Sequence, residues 1–342
     1  MARRQTIADL AEAAGVSVAT VDRVLNQRHP VREGTAERVL QAAESIGFHA
    51  TELIKRRLQE DVPARVFGYL LQRPDAFYRQ LGADLQTATT ARKDVKGKAI
   101  VEFIDELSPS MIAQRMMEMG AKVDALAVVS LDHPHVSLAI ERLRDRGVPT
   151  FAIISDLTAE ARVAYVGHDS RKEGRTAAWI ISRTAKRPGK VGIIVGSHRI
   201  VCQETAEISF RSYFRENAPE FRLLEPLINL EDPRLAYEAT LDLRERNPDL
   251  VGLYICGGGM EGVIDAAREE RSMASVAIVC NELTDQVRGG LIDGILTAVI
   301  STRTKELAAK TIDAMIRTLA SAGEDHFDKI LIPFDLHISE NI

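Results

Sequence analysis

The chain has 342 residues, of which 45% are hydrophobic and 27% charged, a composition that excludes a disordered or membrane-embedded protein. Its formal net charge of -5 argues against a uniformly basic nucleic-acid-binding protein. The charge is unevenly distributed, because the first 59 residues carry a surplus of +2 and the remainder carries -7. The length suits a small domain joined to a larger one.

The N-terminal sequence lacks the continuous apolar segment of a signal peptide, and no 18-residue apolar run follows it. Three cysteines, Cys202, Cys256 and Cys280, have no CxxC spacing, and two of them end apolar runs. We therefore expect free thiols and a cytoplasmic protein with no membrane partner.

The first 48 residues predict three short helices. Thr6 and Asp9 have the spacing of a capping box, and an apolar stripe follows until Gly15. Ser17 is suited to cap a second helix, and a third is expected from about Gly34 to Ser45. Two helices joined by a three-residue turn that contains glycine are typical of a helix-turn-helix.

Residues 49–62 are polar with scattered leucines, which indicates a hinge. From Ala64 onward, short apolar runs alternate with amphipathic stretches, as in ARVFGYLL, ALAVVS, KVGIIVG and DLVGLYIC. Near-continuous apolar strands separated by helices predict parallel sheets covered on both faces. About ten strands over more than 270 residues favour two doubly wound lobes with a ligand cleft at their strand ends.

The segments Thr6–Asn26 and Val31–Phe48 resemble the DNA-binding headpiece of the lactose repressor family. The remainder is similar, at lower density, to the two-lobed periplasmic-binding-protein-like α/β fold that this family joins to its headpiece. The resemblance implies an all-α helix-turn-helix headpiece at 1–48, a hinge at 49–62 and an effector-binding and dimerisation domain at 63–342. It implies a DNA-binding regulator, expected to be a repressor, that responds to a small polyhydroxylated effector such as a sugar or polyol. The expected partners are a pseudo-palindromic double-stranded DNA operator and a second copy of the chain, with higher oligomers open, and no cofactor or metal.

The second helix is the expected recognition helix, whose first turn faces base edges in the major groove. Val18 and Ala19 would contact thymine methyl groups, although they could instead pack inside the helical bundle. Arg23, one turn later, is suited to a bidentate pair with guanine. By resemblance, the remaining DNA contacts of the headpiece are Thr6, Ser17, Thr20, Asn26, Val31 and Thr35.

Two positions depart from the family pattern. Asp22 replaces the usual serine, and its carboxylate would be repelled by phosphates unless it is paired or accepts from a cytosine amine. Asp22 could equally be a solvated helix residue. In the hinge, Leu58 lies one residue beyond the position of the leucine that the family inserts into the minor groove, so the wedge is either Leu58 or absent.

By the same resemblance, the effector contacts lie on loops that follow strands. They are Gln72, Phe77, Tyr78, Asp156, Asp169, Gly258 and Glu282. The alternatives are that the two aromatic rings pack on a helix face and that Asp156 and Asp169 cap helices. Three carboxylates converging where Ala206 replaces the family's arginine would favour a neutral or amine-bearing ligand. The exception would be Arg162, if it swings into the cleft and binds an anion.

A different function is indicated by Gly257–Gly262, a GxGxxG match between a predicted strand and a predicted helix, with Glu282 about twenty residues later. Such a loop favours an NAD-binding enzyme or an NAD-sensing regulator. Against it, the fingerprint normally opens a nucleotide domain, whereas roughly seven strands precede this one. A secreted solute-binding protein is disfavoured by the headpiece. His133 and His135 lack nearby metal-ligand partners in the sequence and are interpreted as loop residues.

Overall fold

A computed structural model describes residues 5–26, 31, 33–60, 62–105, 108–321 and 328–342, with only the backbone at 33, 56–60 and 328. The chain divides into a small N-terminal unit, 1–64 with 92–96, and a large unit formed by 65–91 and 97–342. No helix in the described part of the chain is both long and apolar enough to cross a bilayer.

The small unit contains four helices: α1 Ile7–Ala14, α2 Val18–Asn26, α3 Glu33–Ser45 and α4 Thr51–Glu60. The predicted capping box is confirmed, because Asp9 N–H donates to Thr6 Oγ1 at 3.3 Å and Thr6 N–H donates to Asp9 Oδ2 at 2.8 Å. Gly15 ends α1 in the left-handed region at φ 64°, which an L side chain adopts only with strain. Thr20 N–H donates to Ser17 Oγ at 3.2 Å, so Ser17 caps α2 as predicted.

The core of this unit continues past the boundary at residue 48. Phe48 and Ile54 are buried together with Leu10, Val21 and Val39. Part of the segment expected to be a hinge forms the helix α4. Ile54 on this helix is buried in the core that α1, α2 and α3 also form. The hinge role of 49–62 stays a prediction, but its first turns belong to the packed headpiece.

The large unit begins with strands and helices that alternate as far as the fourth strand, which the fifth strand follows without an intervening helix. These elements are β1 Ala64–Gln72, α5 Ala76–Thr90, β2 Lys96–Ile104, α6 Pro109–Gly120, β3 Ala125–Val128, α7 Pro134–Asp145, β4 Thr150–Ile153 and β5 Ala164–Gly167. The next elements are α8 Ser170–Thr184, β6 Lys190–Val195, α9 Val201–Asn217, β7 Arg222–Leu223, β8 Leu227–Ile228 and α10 Pro233–Arg246. The last elements are β9 Leu250–Cys256, α11 Met260–Glu269, β10 Ala277–Asn281, α12 Asp285–Ile292, β11 Ala298–Thr302, α13 Thr304–Ala320, β12 Asp328–Leu331 and β13 Phe334–His337.

These elements form two lobes, each built on one sheet. The first sheet has the order β12-β5-β4-β3-β1-β2, and the second has the order β13-β11-β10-β9-β6-β7, with β8 also paired to β6. Strands β3, β4, β5 and β9 are buried along their whole length, which is why their sequences are continuously apolar. The predicted pair of doubly wound parallel sheets is confirmed, with β13 as an antiparallel edge strand on β11.

The chain passes between the lobes at three crossovers, after β5, after β11 and after β12. The first crossover holds His168 and Asp169, the second holds Arg303, and the third holds Ile332 and Pro333. Because all three passages are short, the two lobes are joined by closely spaced segments at the carboxyl ends of β5, β11 and β12. Cys256 and Cys280 are buried free thiols, as predicted, and Cys202 is a half-buried one.

The packing of α4 predicts that Ile54 stabilises the headpiece and that its neighbour does not. Ile54 is 0% exposed, whereas Leu53 on the same helix is 44% exposed. Ile54→Ala should therefore lower the free energy of unfolding of the headpiece by about 2–5 kcal/mol. Amide hydrogen exchange of α1 to α3 in the full chain measures the effect, and Leu53→Ala is the matched control. Equal protection of the headpiece amides in both variants would contradict the assignment of α4 to this core.

Candidate functional sites

The first turn of α2 is exposed on the surface of the headpiece. Val18 is 52% exposed and Ala19 is also exposed, while Val21, Val24 and Leu25 form the buried stripe of the helix. The alternative that Val18 and Ala19 pack inside the bundle is therefore wrong. Their methyl groups are available to a major groove.

The polar residues predicted to contact DNA lie around this turn. Arg23 is exposed, and Ser17 Oγ lies 2.9 Å from Thr20 Oγ1. Asp22 accepts a hydrogen bond from Asn26 Nδ2 at 2.6 Å, so its carboxylate and the amide of a predicted phosphate contact are engaged with each other.

The other residues predicted to contact DNA are engaged in the structure of the headpiece itself. Thr6 caps α1, Val31 packs against the headpiece core, and Thr35 is half-buried on α3. The side chain of Leu58 lies outside the described residues, so its wedge role stays a prediction.

A cleft lies between the lobes at the carboxyl ends of their strands. Its walls are the ends of β1, β4, β9 and β10 and the first turns of α5, α8, α9 and α11. This is where parallel α/β sheets bind ligands, because each strand end opens into a loop that leads to a helix N-terminus.

The structure brings five of the predicted effector residues together in this cleft: Gln72, Phe77, Tyr78, Gly258 and Glu282. The ring of Tyr78 is buried, and its hydroxyl lies 3.4 Å from Gln72 Oε1. Phe77 and Tyr78 make an edge-on ring contact at 5.0 Å between centroids, and both residues belong to the lining of the cleft.

Three predicted effector residues lie outside this cleft. Asp156 pairs with Arg162 at 2.7 Å, and Asp169 caps α8 by accepting from Arg171 N–H at 3.0 Å. Asp156 and Asp169 line a second cavity with Lys329. The expectation that Asp156, Asp169 and Glu282 converge is therefore wrong, and Arg162 is held by Asp156 rather than aimed at the ligand.

The residues that replace them in the cleft are their immediate neighbours in sequence, Ser155 and His168. His168 directly follows β5, and Ser155 is the second residue after the end of β4. Ala206 is also outside the cleft, since its backbone packs against Gly174; the residues of α9 that line the cleft are Cys202 and Gln203.

His168 and Glu173 form a buried ion pair in the wall of the cleft, with Nε2 and Oε2 2.5 Å apart. Burial opposes the charge on His168, but the carboxylate of Glu173 outweighs it and raises the imidazole pKa above its ordinary value. Burial likewise opposes ionisation of Glu173, yet His168, Tyr254 and Asn281 together hold its pKa below the ordinary value. Tyr254 Oη donates at 2.7 Å and Asn281 Nδ2 at 2.5 Å to Glu173 Oε1.

Glu282 lies in the cleft with its carboxylate held by Thr302. Thr302 Oγ1 donates to Oε1 at 2.7 Å, and Thr302 N–H donates to Oε2 at 2.9 Å. Burial nevertheless raises the pKa of Glu282 from 4.5 to about 7, because these neutral donors do not replace water fully.

The side chain of Glu231 is hydrogen-bonded to the glycine-rich loop that suggested a dinucleotide site. Gly258 N–H donates to Glu231 Oε2 at 2.7 Å, and Gln203 Nε2 donates to Oε1 at 2.6 Å. A Cβ atom at Gly257 or Gly258 would collide with Gln203 or Glu231. The glycines therefore admit a carboxylate of the chain itself to the N-terminus of α11, where a dinucleotide pyrophosphate would have to sit. The NAD-binding alternative is wrong for this reason.

Comparison with known proteins is consistent with this geometry. Residues 6–51 match the family "Bacterial regulatory proteins, lacI family", and residues 67–325 match the family "Periplasmic binding protein domain". The chain is a lacI family regulator. Its helix-turn-helix and its two-lobed domain thus correspond to the two parts of that family.

This lacI family regulator is 25% identical over 278 residues to an uncharacterised HTH-type transcriptional regulator in the aml 5′ region of Streptomyces limosus, covering 77% of this chain and 74% of that one. It is 26% identical over 204 residues to the HTH-type transcriptional regulator reg1 of Streptomyces lividans, covering 57% of this chain and 54% of that one.

Among solved structures, an ABC transporter solute-binding protein from Agrobacterium vitis, bound with α-D-tagatopyranose, superposes with a TM-score of 0.74. That match has 18% sequence identity and covers 81% of this chain and 95% of the other. It establishes the fold of the two-lobed domain.

The raised pKa of Glu282 predicts how the stability of the two-lobed domain changes with pH. Its pKa is about 7 in the folded chain against an ordinary 4.5, so the folded state retains a proton that the unfolded chain releases. Stability from this group is therefore lost as pH rises from about 4.5 through about 7. Glu282→Gln should melt at least about 2 °C above the parent at pH 8 and show no gain at pH 5.

Thermal unfolding of both proteins across this pH range tests the prediction. Glu238→Gln, at an exposed position on α10, is the control for loss of a carboxylate as such. A difference in melting temperature between Glu282→Gln and the parent that does not change with pH would contradict the prediction.

Proposed function

We propose that the protein is a cytoplasmic, homodimeric transcriptional repressor whose α2 reads a pseudo-palindromic operator and whose cleft binds a small polyhydroxylated effector. The cleft binds this molecule without transforming it. The observation that carries the proposal is the combination in one chain of an exposed first turn of α2 and a cleft lined by amide, carboxylate and aromatic side chains.

The DNA contacts follow from the exposed surface of α2. Val18 and Ala19 contact thymine methyl groups, Arg23 reads guanine, and Ser17 and Thr20 contact phosphates. Asp22 keeps its hydrogen bond from Asn26 when the headpiece binds DNA. This hydrogen bond holds the carboxylate of Asp22 away from the phosphate backbone. Two headpieces are needed because one offers few base contacts, and a two-fold dimer matches an inverted repeat.

The effector class follows from the chemistry of the cleft. Carboxylates and amides accept and donate hydrogen bonds to vicinal hydroxyl groups, while the face of Phe77 covers apolar ring carbons. The tagatose bound by the Agrobacterium vitis protein is a ligand of this class in the same fold. Closure of the lobes around the effector regulates the protein only if the open and closed states differ in DNA affinity.

Arg23→Ala tests the DNA-reading role of α2. Selection of binding sites from random double-stranded DNA with the full chain should yield an inverted repeat with a guanine in each half-site. On that site Arg23→Ala should cost about 1–3 kcal/mol of binding free energy and relax the preference for this guanine. Arg183→Ala, at an exposed position on α8, is the control.

Equal losses on the selected site and on random DNA would show that Arg23 contacts only phosphate. Selected sites without an inverted repeat would overturn the dimeric arrangement.

A further inference from the structure

The lining of the cleft has more acidic than basic side chains. Four carboxylates line it, those of Asp75, Glu173, Glu231 and Glu282, against one imidazole, that of His168. Among the described residues in this lining, none is a lysine or an arginine. The charge that a ligand meets therefore depends on which carboxylates are already neutralised.

Two of the four carboxylates are accounted for within the protein. Glu173 is paired with His168 at 2.5 Å, and its carboxylate raises the pKa of this imidazole, which favours the charge-compensated form of the pair. Asp75 caps α5 by accepting from Tyr78 N–H at 2.8 Å. Burial raises the pKa of Asp75, while the charges of the nearby Arg79 and Arg73 oppose that rise.

Glu231 and Glu282 have only neutral hydrogen-bond donors. Gln203 and Gly258 N–H bind the first, and the hydroxyl and N–H of Thr302 bind the second. Each carboxylate oxygen thus has one donor and retains the capacity for another. Both residues are held in the left-handed backbone region, at φ 61° and 62°, a conformation that is strained for glutamate and that concentrates at binding sites.

Two amide atoms provide independent evidence of a ligand in the same cleft. Gln72 Nε2 and Asn281 Oδ1 are buried without a hydrogen-bond partner, on residues that are 5% and 6% exposed. Asn281 Nδ2 is bound to Glu173, which fixes the orientation of this amide, and both Gln72 and Asn281 belong to the lining of the cleft. Buried polar groups are normally paired, so the cleft is built for a ligand with an acceptor for Gln72 and a donor for Asn281.

We infer that the ligand of this cleft is a polyhydroxylated amine in its protonated form, whose ammonium group lies against Glu231 and Glu282. This inference rests on the proposed function of the cleft as the effector site. Apolar side chains of Phe77, Ile154 and Met260 cover the carbon framework, and Gln72 and Asn281 bind hydroxyl groups.

The physical reason is desolvation. A ligand that fills the cleft removes water from two carboxyl groups whose pKa burial already raises, and a neutral hydroxyl group compensates none of the charge that they carry. An ammonium group supplies both the opposite charge and three donors. A sugar acid or phosphate would add a like charge in a region of low effective dielectric.

Calorimetry on the full-length protein tests the inference with matched pairs that differ only in one amine. The pairs are D-glucosamine with D-glucose, D-galactosamine with D-galactose, and D-mannosamine with D-mannose, together with D-glucuronate as the anionic probe. At about pH 7 we expect the amine of at least one pair to bind at least about tenfold more tightly than its neutral partner.

Glu231→Gln and Glu282→Gln should each reduce that preference by at least about tenfold. Glu238→Gln on α10 should leave both affinities unchanged. The comparison of matched pairs uses the parent protein, so it remains decisive if a variant fails to fold.

The outcomes separate this inference from the proposed function. Neutral sugars that bind as tightly as their amines would overturn the inference and leave the polyhydroxylated effector standing. Preferential binding of glucuronate would overturn the inference as well. Absence of binding by every amine, sugar and acid would contradict both.

Discussion

The buried ion pair between His168 and Glu173 is the interaction on which the large unit depends. His168 lies in the first crossover, its Nδ1 is 3.4 Å from Thr302 Oγ1 at the start of the second, and its ring meets that of Phe334 just after the third, at 6.1 Å between centroids. Glu173 adds bonds from β9 and β10 through Tyr254 and Asn281. One pair therefore ties all three interlobe passages to the wall of the cleft, and removal of either partner would leave a buried charge unpaired.

The same network sets the character of the ligand cleft. Glu173 is paired with His168, and Thr302 contacts both His168 and Glu282, whereas the carboxylates of Glu282 and Glu231 are hydrogen-bonded only to neutral donors. Glu231 lies at the N-terminus of α11, where the positive end of the helix dipole favours a carboxylate. In this fold the glycine-rich loop thus holds an internal anion that becomes part of the binding surface.

Local signals predicted much of the structure. The capping residues Thr6 and Ser17, the apolar stripe of α2 and the continuous apolar strands depend on neighbours within a few residues, and the structure reproduces them. The expectation that binding residues follow the carboxyl ends of parallel strands also placed Gln72 and Glu282 in the cleft. At two strand ends the predicted position was wrong by one residue, since His168 and Ser155 line the cleft where Asp169 and Asp156 were expected.

The remaining site residues depend on contacts between distant segments. Glu231 reaches the cleft through a turn at Leu230 and Glu231 with positive φ, which neither residue favours by itself. Glu173 lies on the first turn of α8 and becomes a site residue only because Tyr254 and Asn281, 81 and 108 positions away, converge on it. Its spacing from Ala177 and Ile181 places Glu173 on the buried face of α8, but a glutamate is rarely expected to be buried from its residue type.

The central claim is that the cleft and the recognition helix are coupled, and reciprocity tests it most directly. The affinity of the full-length protein for its selected operator is measured with and without a saturating cleft ligand, and the affinity for that ligand is measured with and without the operator. Coupling predicts a change of at least about fivefold, equal in the two directions. An operator affinity that stays the same at saturating ligand would contradict it.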